Sequence, residues 1–148
     1  MPHLRVEVPE EWLHDEFKRA TGFDAKALLD HLVHVVARLR MENPAGGTPD
    51  VVPFINLSNL KHAIVPLHDA HVAGDPSKRF IHVTLSAGND TPGRTAAVRL
   101  RVAQTLGDEV DKFVGDLLGL ASVTAHVQDI DRDRGYSTTA ERRKKREL

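Results

Sequence analysis

The chain has 148 residues, 41% hydrophobic and 28% charged, with a formal net charge of −1. That suits one soluble domain able to bury about 68–70% of its unfolded surface, and it excludes an intrinsically disordered chain or one drawn by bulk charge to nucleic acid or membrane. Cysteine is absent, so disulfides, thiolate metal sites and thiol catalysis are excluded together. No apolar run reaches the ~18 residues of a membrane span and no basic-then-apolar leader opens the chain, so a cytoplasmic location is expected.

The first eight residues alternate strictly. Pro2, Leu4, Val6 and Val8 fall on one face and His3, Arg5 and Glu7 on the other, the period of a half-buried strand. The small residue at position 2 favours removal of Met1, which would leave the strand headed by a free secondary amine. Such an amine becomes a base near neutral pH when burial or neighbouring cations disfavour its charged form.

Pro9 followed by Glu10 and Glu11 has the composition of a helix start, and Trp12, Leu13, Phe17 and Ala20 form a short apolar stripe that Gly22 ends. This predicts a short helical insertion over about 9–22. Asp24 then caps a stronger helix to about Met41, with Leu28, Leu32, Val35 or Val36, and Leu39 at helical spacing. Residues 43–50 contain two prolines and two glycines and read as a loop. A second strand is expected from Asn59 to Leu67, with Pro66 placing its end at an edge or a bulge. Gly74 to Ser77 marks a turn. Arg79 to Ala87 is the clearest interior strand, with Ile81, Val83, Leu85 and Ala87 on one face.

Thr91 and Pro92 have the chemistry of an N-cap and a first helical residue, which would put Arg94 in the first turn of the next helix. Ala103, Leu106, Val110, Phe113 and Leu117 supply its apolar spacing, and Gly119 is placed to stop it. Ser122 to Ile130 reads as a final strand. Apolar residues nearly vanish after Asp131, and 141–146 is a basic run, so 137–148 is expected to be a surface arm.

The order strand, helix, strand, repeated once, gives an α+β fold: two βαβ units forming a four-stranded mixed sheet with two long helices on one face, a domain over 1–136. The other sheet face would lie bare in a monomer, which makes oligomerisation the economical solution.

The opening Met-Pro-His-Leu-x-Val-Glu, the strand Phe80-Ile81-His82-Val83-Thr84-Leu85, the run Gly93-Arg94-Thr95 and the late Asp129-Ile130-Asp131 together resemble the tautomerase superfamily. Within it the chain is most similar to the 5-carboxymethyl-2-hydroxymuconate isomerase branch, continuously from about Leu57 to Ser137 and loosely between Pro9 and Phe54. The resemblance implies a cofactor-independent, metal-free keto–enol isomerase of a small unsaturated dicarboxylate, a homotrimer, and a role in aromatic-compound catabolism. Pro2 matches the catalytic proline, Arg94 the substrate-binding arginine that opens the second helix, and Lys61 lies nearest to the arginine expected in the second strand. A lysine offers a point charge where an arginine would offer a bidentate fork.

Blander readings accompany each of these residues. Proline after methionine can simply fit the start of a strand, Arg94 can be a surface arginine, and a strand lysine commonly protects an edge. His31 with His34 and His68 with His71 have metal-ligand spacings, yet neither pair has a third ligand at motif distance, so surface or packing histidines are expected. His82 points away from the apolar face of its strand and could line a pocket. The basic run lacks interleaved aromatics, which favours a solvated tail over a nucleic-acid contact. A non-catalytic oligomeric binding protein of the same fold is the alternative to an enzyme.

Overall fold

The computed structural model describes residues 2–69, 73–75, 77–88, 91–115, 117, 121–130, 143, 144 and 146. The main sheet contains β1 (His3–Pro9), β4 (Lys61–Leu67), β5 (Arg79–Gly88) and β6 (Ala121–Ile130), in the order β4-β1-β5-β6. β1 runs parallel to β4 and β5 parallel to β6, while β1 and β5 are antiparallel. The helix α2 (Ala25–Arg38) connects the first parallel pair and α3 (Ala96–Val114) the second. α2 packs against β4 and β1, α3 against β6 and β5, and the two helices touch each other. This is the double βαβ arrangement expected from the sequence.

The alternation of β1 and β5 is realised fully. Leu4 pairs with Leu85 and Val6 with Val83 across the ladder, and these four and Val8 are fully buried on the helix-covered face. Leu28, Leu32 and Val36 of α2, with Val102, Leu106 and Val110 of α3, complete that layer at 0–1% exposure. Each such aliphatic side chain contributes roughly 1.5–3 kcal/mol relative to an exposed one. In α3 Leu106 and Val110 are buried as expected, with Val102 and Val114 completing the stripe, while Ala103, Phe113 and Leu117 are only partly buried.

Several boundaries move for identifiable reasons. The expected first helix is split into a 3-10 turn at Glu10–Leu13 and the helix α1 (Asp15–Thr21), closed by Gly22 at φ 78°. Trp12 is its one buried anchor, stacked on Phe17 at 5.2 Å, whereas Leu13 and Ala20 are exposed. Asp24 caps α2 as expected, accepting from the Lys26 and Ala27 amides. α2 stops at Arg38 and does not reach Met41, because Arg40–Glu42 forms a short strand β2 paired antiparallel with β3 (Val51–Pro53). The 43–50 loop is the connection of that hairpin. A second 3-10 turn over Leu57–Asn59 leads into β4, so the strand begins at Lys61 and not at Asn59.

α3 begins later than its composition suggests. Thr95 is the N-cap, accepting from the Val98 amide, and Arg94 lies outside the helix. Gly93 stands at φ 88°, a conformation that interrupts any helix begun at Thr91, and Pro44 and the Glu42 carbonyl of the hairpin lie on the side where a Cβ would stand. Gly115 closes α3, and Gly119, the expected stop, lies outside the described residues. So does nearly all of the basic arm, of which Arg143, Lys144 and Arg146 are exposed.

The sheet face away from the helices carries His3, Arg5 and Glu7 of β1, His82, Thr84 and Ser86 of β5, and Thr124, His126 and Gln128 of β6. It is mostly polar. Its apolar part is the far end, where Val65 and Leu67 of β4 and Phe80 of β5 stand half-buried on the same face.

Candidate functional site

β1 starts at one end of the sheet, where the chain elements of interest converge. Pro2 is half-buried, and its carbonyl accepts the Lys61 amide at 3.0 Å, so the heads of β1 and β4 are tied together by main chain. His3 is paired with Lys61 on one side and Ser86 on the other. Two residues beyond Ser86, the Gly88 carbonyl closes β5 and accepts Arg94 Nη1 at 2.9 Å. Arg94 Nε and Nη2 donate to the Phe54 carbonyl at 3.0 and 2.8 Å, and the guanidinium lies over the Phe54 ring, 5.2 Å from its centroid. Arg99 in turn donates to the Arg94 carbonyl at 2.7 Å and faces Asp129 of β6 at 3.4 Å.

Arg94 thus fastens the end of β5 to the segment that follows the β2–β3 hairpin. A cleft of about 490 Å³ lies beside it, walled by Ala37, Phe54, Ile55, Leu57, Thr91 and Arg94. Pro2 is not among its walls. The three residues named from the sequence therefore share one end of the sheet: Pro2 and Lys61 adjoin directly, and Arg94 is joined to them through β5. Arg94 does not stand in the first turn of α3, and its contacts are carbonyl oxygens and an aromatic face rather than orphan helix amides.

The electrostatics at this end are cationic. The imidazole of His3 is held below its ordinary range, first by burial and then by the charges of Lys61 and Arg5. Arg5 has Glu7 as a distant partner at 3.9 Å. His3 was not singled out by sequence reasoning. Its position directly after Pro2 on a period-2 strand was the available signal, but the pairing that sets it beside Lys61 and Ser86 comes from strand register.

Three other histidines find structural partners among the described residues. His31 bonds Glu109 at 2.8 Å and stacks on Phe113, joining α2 to α3. His68 pairs with Glu10 at 2.6 Å, His82 contacts the Thr124 hydroxyl across β5 and β6, and His34 is exposed. His71 lies outside the described residues. Among the described residues no group of three or more His, Asp or Glu side chains is placed to hold a metal ion, and no helix is long and apolar enough to cross a membrane.

No protein-family model matches the chain, and no curated protein matches it by sequence. Solved structures do. A 5-carboxymethyl-2-hydroxymuconate delta-isomerase superposes with a TM-score of 0.65 at 18% identity, over 94% of this chain and 87% of the other. A 5-carboxymethyl-2-hydroxymuconate isomerase from Deinococcus radiodurans R1 gives 0.60 at 17% identity, over 93% and 88%. A fused 4-OT symmetric trimer gives 0.54 at 16% identity, over 93% and 92%. At such identities the likeness is one of architecture, and it extends over nearly the whole chain. The chain has the double βαβ fold of these tautomerase-superfamily structures.

Proposed function

We propose that the protein is a cofactor-independent keto–enol tautomerase, an isomerase of a small unsaturated 2-oxo or 2-hydroxy dicarboxylate, working through the amine of Pro2. The observation that carries this reading is the register at the sheet end, which seats the head of β1 beside Lys61 and the Gly88–Arg94 junction. The fold likeness to isomerases supports it.

Once Met1 is removed, Pro2 carries a secondary amine at the end of a rigid strand, positioned without loop entropy. A chain-terminal amine has a pKa of about 7.7–8.0, and cations beside it favour the neutral form. The neutral nitrogen takes the proton of the dienol hydroxyl, the electron pair forms the carbonyl, and the diene shifts by one double bond. The resulting prolinium returns the proton to carbon, so that no proton, electron or water is consumed. Arg94 and Lys61 act as the cations that hold carboxylate and stabilise the developing enolate oxygen. No metal or organic cofactor is needed. By likeness to the fused 4-OT trimer, the assembly is a homotrimer. Composition and a net charge of −1 favour a cytoplasmic protein with a small-molecule substrate and no nucleic-acid or membrane partner.

One observation favours a non-catalytic binding protein of this fold as the second reading. The Arg94 guanidinium is already directed at two carbonyl oxygens and an aromatic ring. Following 2-hydroxymuconate-type dienols in the ultraviolet decides between the two. The trimmed chain should ketonise them, and the same chain with Met1 retained, in which the Pro2 nitrogen is an amide, should not. Equal turnover by both forms would remove the amine mechanism, and no turnover by the trimmed form would leave the binding reading.

A further inference from the structure

The short insertion after β1 has no part in the chemistry assigned to Pro2, yet it walls a cavity of its own. Its 3-10 turn, the start of α1, the start of α2 and Ile64 of β4 enclose about 220 Å³. β1 runs from His3 to Pro9 and Trp12 follows it, so the cavity lies toward the opposite end of the strand from Pro2. Its volume is below the ~300–1,000 Å³ of pockets that take drug-sized ligands, which excludes nucleotides and large cofactors.

The floor is apolar and fixed. Trp12 and Phe23 are each 4% exposed and meet edge to face at 5.4 Å, while Phe17 stacks on Trp12 at 5.2 Å. Ile64 lines the same cavity half-buried. Rings held in this way take up an apolar side chain with little further ordering.

The rim carries charges of both signs. Lys18 and Asp24 satisfy each other at 3.0 Å, and Asp24 also accepts from the Lys26 and Ala27 amides. Asp15 and Lys26 remain. Both are exposed, and among the described residues neither side chain has an ion-pair or hydrogen-bond partner. They come from different helices, α1 and α2, and both line this one cavity. A lone anion is repelled by Asp15 and a lone cation by Lys26, whereas a molecule with one charge of each sign is attracted to both.

We infer that this cavity binds a free apolar α-amino acid as its zwitterion. The ligand ammonium meets the Asp15 carboxylate, its carboxylate meets the Lys26 ammonium, and its side chain rests on the Trp12–Phe23 floor. No bond is made or broken there, and no step at Pro2 uses the site.

Trp12 is the single tryptophan of the chain, so indole emission of the full chain reports the cavity directly. L-Leucine should change that emission saturably at millimolar concentration, since two exposed ion pairs and one small apolar contact supply little more. The analogue without the ammonium, 4-methylpentanoate, and the one without the carboxylate, isopentylamine, should each bind about threefold to fivefold more weakly, the yield of one exposed ion pair. Glycine, with no side chain, should leave the emission in place. Asp15→Asn should weaken leucine by the same factor without weakening 4-methylpentanoate, and Lys26→Gln should weaken leucine without weakening isopentylamine. Both positions are exposed, so neither change threatens the core. The chain with Met1 retained should bind leucine as the trimmed chain does, whether or not either form turns over a dienol. No saturable response to leucine, equal affinity for leucine and both analogues, unchanged leucine affinity in both variants, or binding by the trimmed form alone would each overturn the inference.

Discussion

Replacing Arg94 by alanine should lower stability as well as activity, and the size of the drop follows from its contacts. Three hydrogen bonds run from the charged fork to the carbonyls of Phe54 and Gly88, all partly buried, and the guanidinium covers the ring of a fully buried Phe54. Bonds to a charged group are worth about 1.5–3 kcal/mol each, but two share one acceptor and water can reach part of the gap, so they do not add. With about 0.5–1 kcal/mol for the cation–π contact, the net cost is about 2–4 kcal/mol. At roughly 2–4 °C per kcal/mol for a chain of this size, Tm should fall by about 4–16 °C. Arg94→Lys keeps the charge and loses the fork, and should recover less than half. Urea unfolding followed by far-ultraviolet circular dichroism, together with a thermal scan, measures both. A change in Tm within about 1 °C for Arg94→Ala would refute the clamp and return Arg94 to a purely ligand-facing role.

Two further predictions concern titrating contacts. Glu109 is held below the usual carboxylate range, chiefly by its bond to His31, with the charges of Lys112 and Arg38 adding to it. A depressed acid contributes stability that is present above its unfolded value and lost as pH falls through the folded one. The advantage of wild type over Glu109→Gln should therefore be constant at neutral pH and vanish below 4.5, and it should shrink in high salt because the pair is partly exposed. Unfolding both proteins between pH 7 and 3 shows this, and an advantage undiminished at pH 3 would contradict it. Asp24→Ala removes the cap of α2 and the 3.0 Å bridge from Lys18, and should cost about 1 kcal/mol in chemical denaturation, within a range of 0.5–2. Because Lys18 and the Ala27 amide depress the Asp24 carboxyl, that difference too should fade below pH 3.8.

The parts of the fold governed by short-range pattern were readable from the chain itself. Alternation in His3–Pro9 and Arg79–Gly88 placed the two central strands and their buried faces, and Asp24 announced α2 through its side chain. What could not be read was set by contacts between distant segments. The helix expected to run to Met41 stops at Arg38, because Arg40 pairs with Pro53 and its carbonyl accepts from Arg101 of α3. Three-residue strands carry too little alternation to announce such a hairpin. Thr91 and Pro92 have the right chemistry for a helix start, and it is the positive φ of Gly93 that delays the helix to Thr95.

The candidate site divides along the same line. Pro2 could be named as a candidate because its chemistry depends on one local fact, a strand beginning just after it. Lys61 was found as a nearby cation, and only register shows that it pairs with His3. Arg94 was identified by residue type and position, yet the oxygens it holds belong to Phe54 and Gly88, forty and six residues away.

The most direct test of the central claim is the rate of dienol ketonisation by trimmed Pro2→Ala beside trimmed wild type, both confirmed by intact mass to lack Met1. Alanine preserves a terminal amine and loses the secondary ring nitrogen held at the head of β1. A misplaced general acid/base removes about 10²–10⁴-fold of rate. The account predicts a fall in kcat/KM of at least about 10²-fold with Tm unchanged within about 2 °C. Turnover by Pro2→Ala equal to wild type would contradict it.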